Sequence, residues 1–185
     1  MEIGENVSRI KDNLLLIPSE RFDTLTKDPG YKTSFIYLIA CLILSIPIML
    51  IGAMAQGIGI IAAIISLPIS LILSIPILYI MYLIQFALLK IVGGKASFQQ
   101  SVQIFIYGGT AALIFGNFPF LGMIAGLIAL ANIVLGSARI HQISTLRSII
   151  ALIIIPLIIL IILGLIIFMV LGAFFYSIFG GTMLV

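Results

Sequence analysis

Carboxylates are missing from most of this chain: all six lie between Glu2 and Asp28, and none occurs from Gly30 to Val185. That absence excludes paired-carboxylate hydrolysis and an intramembrane aspartyl protease from everything beyond the first 28 residues. Charge of either sign is scarce, at 8% of 185 residues, where a soluble domain carries about a quarter. Tryptophan is absent, and the single cysteine, Cys41, falls inside an apolar run, so no intramolecular disulfide can form. One histidine and one cysteine cannot fill a four-coordinate metal site without carboxylates. No metal, other cofactor or catalytic residue is expected, and the chain makes a poor enzyme.

Basic residues are few as well. The nine Lys and Arg give a net charge of +3, but Arg9, Lys11, Arg21, Lys27 and Lys32 interleave with the six acids. Without a basic stripe to release phosphate counterions, no nucleic-acid partner is expected. A secretory signal would put basic residues directly before a short apolar core. Here Glu2 and Glu5 come first, and the apolar run begins near Phe35. The N-terminus is expected to be retained, with the first hydrophobic segment acting as a signal anchor.

What remains is apolar: 63% hydrophobic residues and a mean hydropathy of +1.38. Such a chain is a membrane protein in contact with a lipid bilayer. The expected fold class is all-α: a polytopic helical bundle of about five transmembrane helices behind a short amphipathic tail. Residues 1–30 read as a cytoplasmic tail and residues 31–185 as the membrane domain. In the tail, Ile3, Val7, Ile10, Leu14 and Ile17 recur at helical spacing, and Pro18 is expected to end that helix. Ser19 reads as the N-cap of a second short helix, and Asp28-Pro29-Gly30 as the turn before the membrane.

Five apolar segments follow, with expected spans of about 31–54, 66–89, 101–116, 121–137 and 148–172. The run from Gly57 to Leu89 exceeds the roughly 20 residues a span needs, so it must tilt, kink at Pro68 and Pro76, or start with a non-spanning stretch. With five spans and the N-terminus inside, all nine Lys and Arg fall on the cytoplasmic side. A re-entrant hairpin of the third and fourth segments leaves the charges equally placed. The heptapeptide LILSIPI occurs at both Leu42–Ile48 and Leu71–Ile77, a coincidence in so Leu- and Ile-rich a chain.

Three local patterns carry chemistry or its absence. Gly93-Gly94-Lys95-Ala96-Ser97 lacks the first glycine of a phosphate-binding loop, and reads instead as a turn leading to a capping box of Ser97 and Gln100. Ser137 and His141 stand four apart, but no acid is present to orient the imidazole. A solvated connecting helix is the expectation there. Gln99, Gln103, Tyr107 and Thr110 form a polar stripe on the third segment. On the fourth, Gly122, Ala125, Gly126, Ala129, Asn132 and Gly136 share a face of small residues. Their expected role is a close-packed hairpin with polar groups bonding across it, the alternative being a polar pathway.

Two of these motifs resemble the Yip family, the Ypt/Rab-interacting membrane proteins. They are the tail residues Pro18, Ser19, Glu20 and Phe22, and the run Gly93, Gly94, Lys95, Ser97 and Phe98. The likeness extends over about residues 10–175. It implies five spans with a cytoplasmic N-terminus and a C-terminus outside, and no catalysis. For eukaryotic relatives it implies vesicle traffic through small GTPases and hetero-oligomers. This chain has only Lys27-Asp28-Pro29-Gly30 where those relatives carry a long acidic-aromatic tail with Asp-Leu-x-Gly-Pro, so small-GTPase binding does not carry over. The short tail is most similar to prokaryotic members, which implies a prokaryotic cell membrane. Five basic residues, counting Lys32 just past the tail, and six acidic ones make this region near-neutral, better suited to docking on protein than on anionic lipid. The expected function is partner binding or membrane organisation, with other membrane proteins or a second copy as partner. The alternative is a small transporter, channel or lipid-moving protein using the third and fourth segments.

Overall fold

The computed structural model describes residues 3–18, 20–27, 31–118 and 120–179, and every regular element among them is helical. Two short helices, α1 (Ile3–Asn13) and α2 (Arg21–Leu25), make the tail. The membrane domain follows with α3 (Tyr31–Ala55), α4 (Ile60–Ile91), α5 (Phe98–Gly108), α6 (Thr110–Phe115), α7 (Leu121–Ile140), α8 (Thr145–Ile149) and α9 (Ile155–Phe179). Four stretches among the described residues are long and apolar enough to cross a bilayer: Lys32–Ala55, Ile72–Ile91, Leu121–Ile140 and Thr145–Phe174. The chain is an all-α membrane bundle, as its composition requires.

The third apolar segment differs from those four. It is divided at Gly109 into α5, of 11 residues, and α6, of 6. The Gly108-Gly109 pair is the cause, since neighbouring glycines are a common site of helix kinks. Every residue from Ser101 to Ala111 is buried, enclosed by α3, α4, α7 and the tail. The core gathers around it: Tyr107 meets Tyr37 edge-on at 4.8 Å, and Phe105 stacks on Tyr82 at 5.3 Å. At one end the Phe98 ring lies 5.3 Å from that of Phe86, near the end of α4. At the other, a methyl group on Gly52, in the last turn of α3, would stand 2.8 Å from the Asn117 carbonyl oxygen.

The outer helices are built the opposite way. In α4, Pro68 and Pro76 lie inside one continuous helix of 32 residues, about 48 Å at 1.5 Å per residue. Its apolar side chains point mostly outward, as do those of α9. Between α8 and α9 the helix widens into a π stretch, Ile150–Ile154. Such a widening just before Pro156 accommodates the ring and the missing backbone N–H.

One expectation for the tail meets a different outcome. Helix α1 ends at Asn13, not at Pro18, and Leu14–Pro18 leave helical geometry. The reason is tertiary: a side chain of α7 takes the backbone of Leu15 and Ile17, which a helix would have kept for itself. Of the apolar stripe, Ile10 and Ile17 are buried and Leu14 half-buried. Ser19 as a cap and the Asp28-Pro29-Gly30 turn lie outside the described residues.

Candidate functional site

Two polar links join the bundle interior to the tail. Asn132, in the second half of α7, is wholly buried, and its carboxamide reads the tail backbone on both sides of Leu16. Its Oδ1 accepts from Ile17 N–H at 2.8 Å and its Nδ2 donates to the Leu15 carbonyl at 2.9 Å. A second link runs through hydroxyls. Asn13 Nδ2 donates to Tyr37 OH at 3.1 Å, Tyr37 OH lies 2.9 Å from Thr110 Oγ1, and Thr110 Oγ1 donates to the Tyr107 carbonyl at 2.7 Å. The threonine proton is committed to that carbonyl, so the tyrosine donates to the threonine and accepts from the asparagine. The chain of donors thus runs from the tail inward, each bond polarising the next.

Below it the tail is held by shape. Phe22 is fully buried with Ile17 and Ile104. A methyl group on Gly136 would stand 2.8–2.9 Å from its ring carbons, so only glycine there admits the phenyl ring. At the surface, Arg139 Nη2 donates to Asp23 Oδ2 at 2.9 Å and Arg21 Nη2 donates to Asp12 Oδ2 at 2.9 Å. The hydrogen bond from Arg139 is the main reason the Asp23 carboxyl is held below its ordinary range. An open polar groove of about 620 Å³ flanks this pair, bordered by Ala138, Gln142 and Thr145.

The Gly93–Ser97 turn docks on the far end of α7. Ser97 and Gln100 form the expected capping box, with Gln100 N–H donating to Ser97 Oγ at 3.2 Å and Ser97 N–H to Gln100 Oε1 at 3.0 Å. Gly93 adopts φ +94°, a left-handed conformation that favours glycine. Gly94 faces the His141 imidazole, and a Cβ there would collide with Nδ1 and stand 2.7 Å from the Leu89 carbonyl oxygen. The Lys95 N–H donates to the His141 carbonyl at 3.1 Å.

His141 corrects the expectation of a solvated connecting helix. Both Ser137 and His141 are fully buried, and the serine that meets the imidazole is Ser101, with Oγ 2.9 Å from Nε2. The spacing resembles a nucleophile and its base, but the protons run the wrong way. Ser101 Oγ donates its proton to the Ser97 carbonyl at 3.0 Å. Nε2 must then carry the hydrogen and donate to the serine, leaving Nδ1 bare against Gly94. Burial above all, and then the charge of Lys90, pushes the imidazole down to about 4, so it stays neutral at physiological pH. The pair is a staple between α5 and α7.

Of the polar stripe, Gln103, Tyr107 and Thr110 are buried and Gln99 is half-buried at the end of α5. Asn132 does not bond across to the stripe, as expected of it; it holds the tail. Gly122 does pack closely, its position for a methyl lying 2.5 Å from the Gly116 carbonyl oxygen. Gly126 does not: nothing lies within 4 Å of that position, so this half of the GxxxG faces outward. The close approach of α5 and α7 is at Gly108, where a methyl would stand 3.1 Å from Ile133 Cγ1. Asn13, Tyr37 and Ser101 belong to the site without having been singled out by any sequence pattern.

The Yip1 domain family model matches residues 13–168. No curated protein and no solved structure matches. The matched residues run from Asn13, which enters the bundle, through the Phe22 pocket and the Gly93–Ser97 turn. The chain belongs to the Yip1-domain family of membrane proteins.

Proposed function

We propose that this protein is a non-enzymatic, five-crossing member of its family, with a cytoplasmic N-terminus, that acts by binding other membrane proteins. The observation that carries this reading is the use made of the polar stripe. Thr110 is spent on Tyr37 and the Tyr107 carbonyl, and Asn132 on the chain's own tail, both at 0% exposure, where a transport pathway would leave such groups facing water. The Ser101–His141 proton order supports a structural pair over a nucleophile and base. Contact between Gly52 and Asn117 supports a third segment that reaches the far side of the bundle, and so five crossings.

The test has two arms. In a Cys41→Ser background, single cysteines at Ser8, Ser144 and Thr182 are treated with a membrane-impermeant thiol reagent on intact cells. Only Thr182 is expected to react; reaction at Ser144 alone would end the five-crossing reading. Purified protein in vesicles is then assayed for ion flux and lipid exchange, expected to match empty vesicles. Flux that Asn132→Leu changes would replace partner binding with transport.

A further inference from the structure

The Gly93–Phe98 run has one residue the fold leaves idle. Gly93 makes the turn, Gly94 admits the imidazole, Ala96 is buried, Ser97 caps α5 and Phe98 packs on Phe86. Lys95 is exposed, and its side chain takes no such part. Two other exposed cations stand at the same turn. Lys90, next to last in α4, lies with Nζ 5.4 Å from the centre of the Phe86 ring. Arg147, in α8, places Nη1 3.9 Å from where a methyl on Gly93 would be.

Among the described residues no carboxylate pairs with these three cations. The chain has no carboxylate after Asp28, and the tail's Asp12 and Asp23 are paired with Arg21 and Arg139. Lys90 also acts on the imidazole below, helping to keep it neutral. The depth matters as much as the charge. Lys90 closes the apolar stretch Ile72–Ile91 and Arg147 opens the stretch Thr145–Phe174. Both therefore sit at a hydrocarbon–water boundary, where headgroup phosphates lie.

We infer that Lys90, Lys95 and Arg147 form a site for the phosphate of an anionic phospholipid headgroup, seated against the Gly93 turn between α4 and α8. Arginine supplies a planar fork for phosphate oxygens and the lysines supply mobile point charges. Basic clusters between membrane helices commonly hold anionic headgroups. The site is separate from the tail-holding face, where Arg139 is already paired with Asp23.

Spin-labelled phosphatidylglycerol and phosphatidylcholine, compared on the full chain in mixed vesicles, test this. Wild type is expected to favour phosphatidylglycerol several-fold. Each of Lys90→Gln, Lys95→Gln and Arg147→Gln should lower the preference by about two- to five-fold at low salt. The triple change should bring it to parity. Lys95→Gln breaks no contact of the fold, so its effect is free of misfolding. Arg147→Lys should keep most of the preference, and Arg139→Gln should leave it intact. A preference untouched by the triple change, or lost equally with Arg139→Gln, would overturn the site. So would its absence in wild type, leaving an acidic protein segment as the ligand. Inorganic phosphate at an ionic strength matched with chloride separates the sources: erasing the preference with phosphate alone would mark a free-phosphate site instead.

Discussion

Helices α5–α6 and α9 obey opposite rules within one chain. The 30 residues of Thr145–Phe174 are the most hydrophobic of the four candidate spans, yet only 11% of their most apolar window is buried. The α5–α6 segment carries Gln103, Tyr107 and Thr110 and is enclosed along most of its length. In water the apolar helix would be inside. In lipid, apolar surface gains nothing from meeting apolar surface, while an unpaired amide or hydroxyl in hydrocarbon is costly. The interior is therefore allotted to the segment with polar groups to satisfy: Thr110 meets Tyr37, whose hydroxyl in turn accepts from Asn13 of the tail.

If the tail is part of the core, forcing it out should be the most damaging change. Gly136→Leu puts a branched side chain where the Phe22 ring now lies, 2.8–2.9 Å from a single methyl group. The expected loss approaches that of deleting a buried Phe, about 3–5 kcal/mol, because the ring has nowhere else to go. Thermal unfolding in nanodiscs measures it, and amide exchange over residues 8–17 should become fast. Slow exchange in the variant would show that the tail is held without Phe22.

The next largest effect belongs to the carboxamide. Bonds between helices in membranes average about 0.6 kcal/mol and reach about 1.7, but Asn132→Leu also strands the Ile17 N–H and Leu15 carbonyl. The expected cost is about 1–3 kcal/mol, with Tyr37→Phe similar because it cuts the chain from Asn13 to Thr110. If Asn132→Leu is neutral and Ile17 exchange stays slow, the polar bonds contribute nothing and packing alone holds the tail.

The pH dependence is smaller and has a defined direction. His141 is pushed down to about 4 from an ordinary value of 6.5, so the unfolded state takes up protons that the folded state refuses. Stability is full above about 6.5 and falls as pH drops toward 4, then levels off once both states are protonated. Asp23, also held down, adds a loss at lower pH. Chemical unfolding across this range checks the slope. His141→Phe should flatten the upper part and Asp23→Asn the lower. A His141→Phe variant that keeps the upper slope would assign it elsewhere.

How much of this was legible depends on which forces are local. Apolar runs mark where helices lie, as over Tyr31–Ala55, but not where they break: the third run divides at Gly109. The Ser97–Gln100 cap was readable because a capping box is complete within four residues. Asn132 was expected to bond across to the third segment, whereas it bonds Leu15 and Ile17, which offer only backbone atoms that every residue possesses. The end of α1 was missed for the same reason: helical spacing persists to Ile17, and only a side chain 115 residues away overrides it. Gly136 and Gly126 share a face on paper, yet one meets Phe22 and the other meets nothing. A pattern of small residues marks where an approach is permitted and does not say which element takes it.

Gly126 gives the smallest effect and the sharpest use of the comparison. As one end of a GxxxG it is expected from sequence to be the tightest point of a helix hairpin, where leucine would be ruinous. In the bundle its would-be methyl has no neighbour within 4 Å, so Gly126→Leu should behave like a change on α9. Glycine inside a helix is less favourable than leucine by nearly 1 kcal/mol in water, so the substitution should be neutral or stabilise by about 0.5 kcal/mol. Melting in nanodiscs, beside Asn132→Leu on the same helix, is the measurement. Should Gly126→Leu prove as harmful as Asn132→Leu, something must cover that face in the membrane. A second copy is then the first candidate, because purified protein contains no other chain. A cysteine at Gly126, in the Cys41→Ser background, would cross-link as a dimer in that case and stay monomeric if the face meets only lipid.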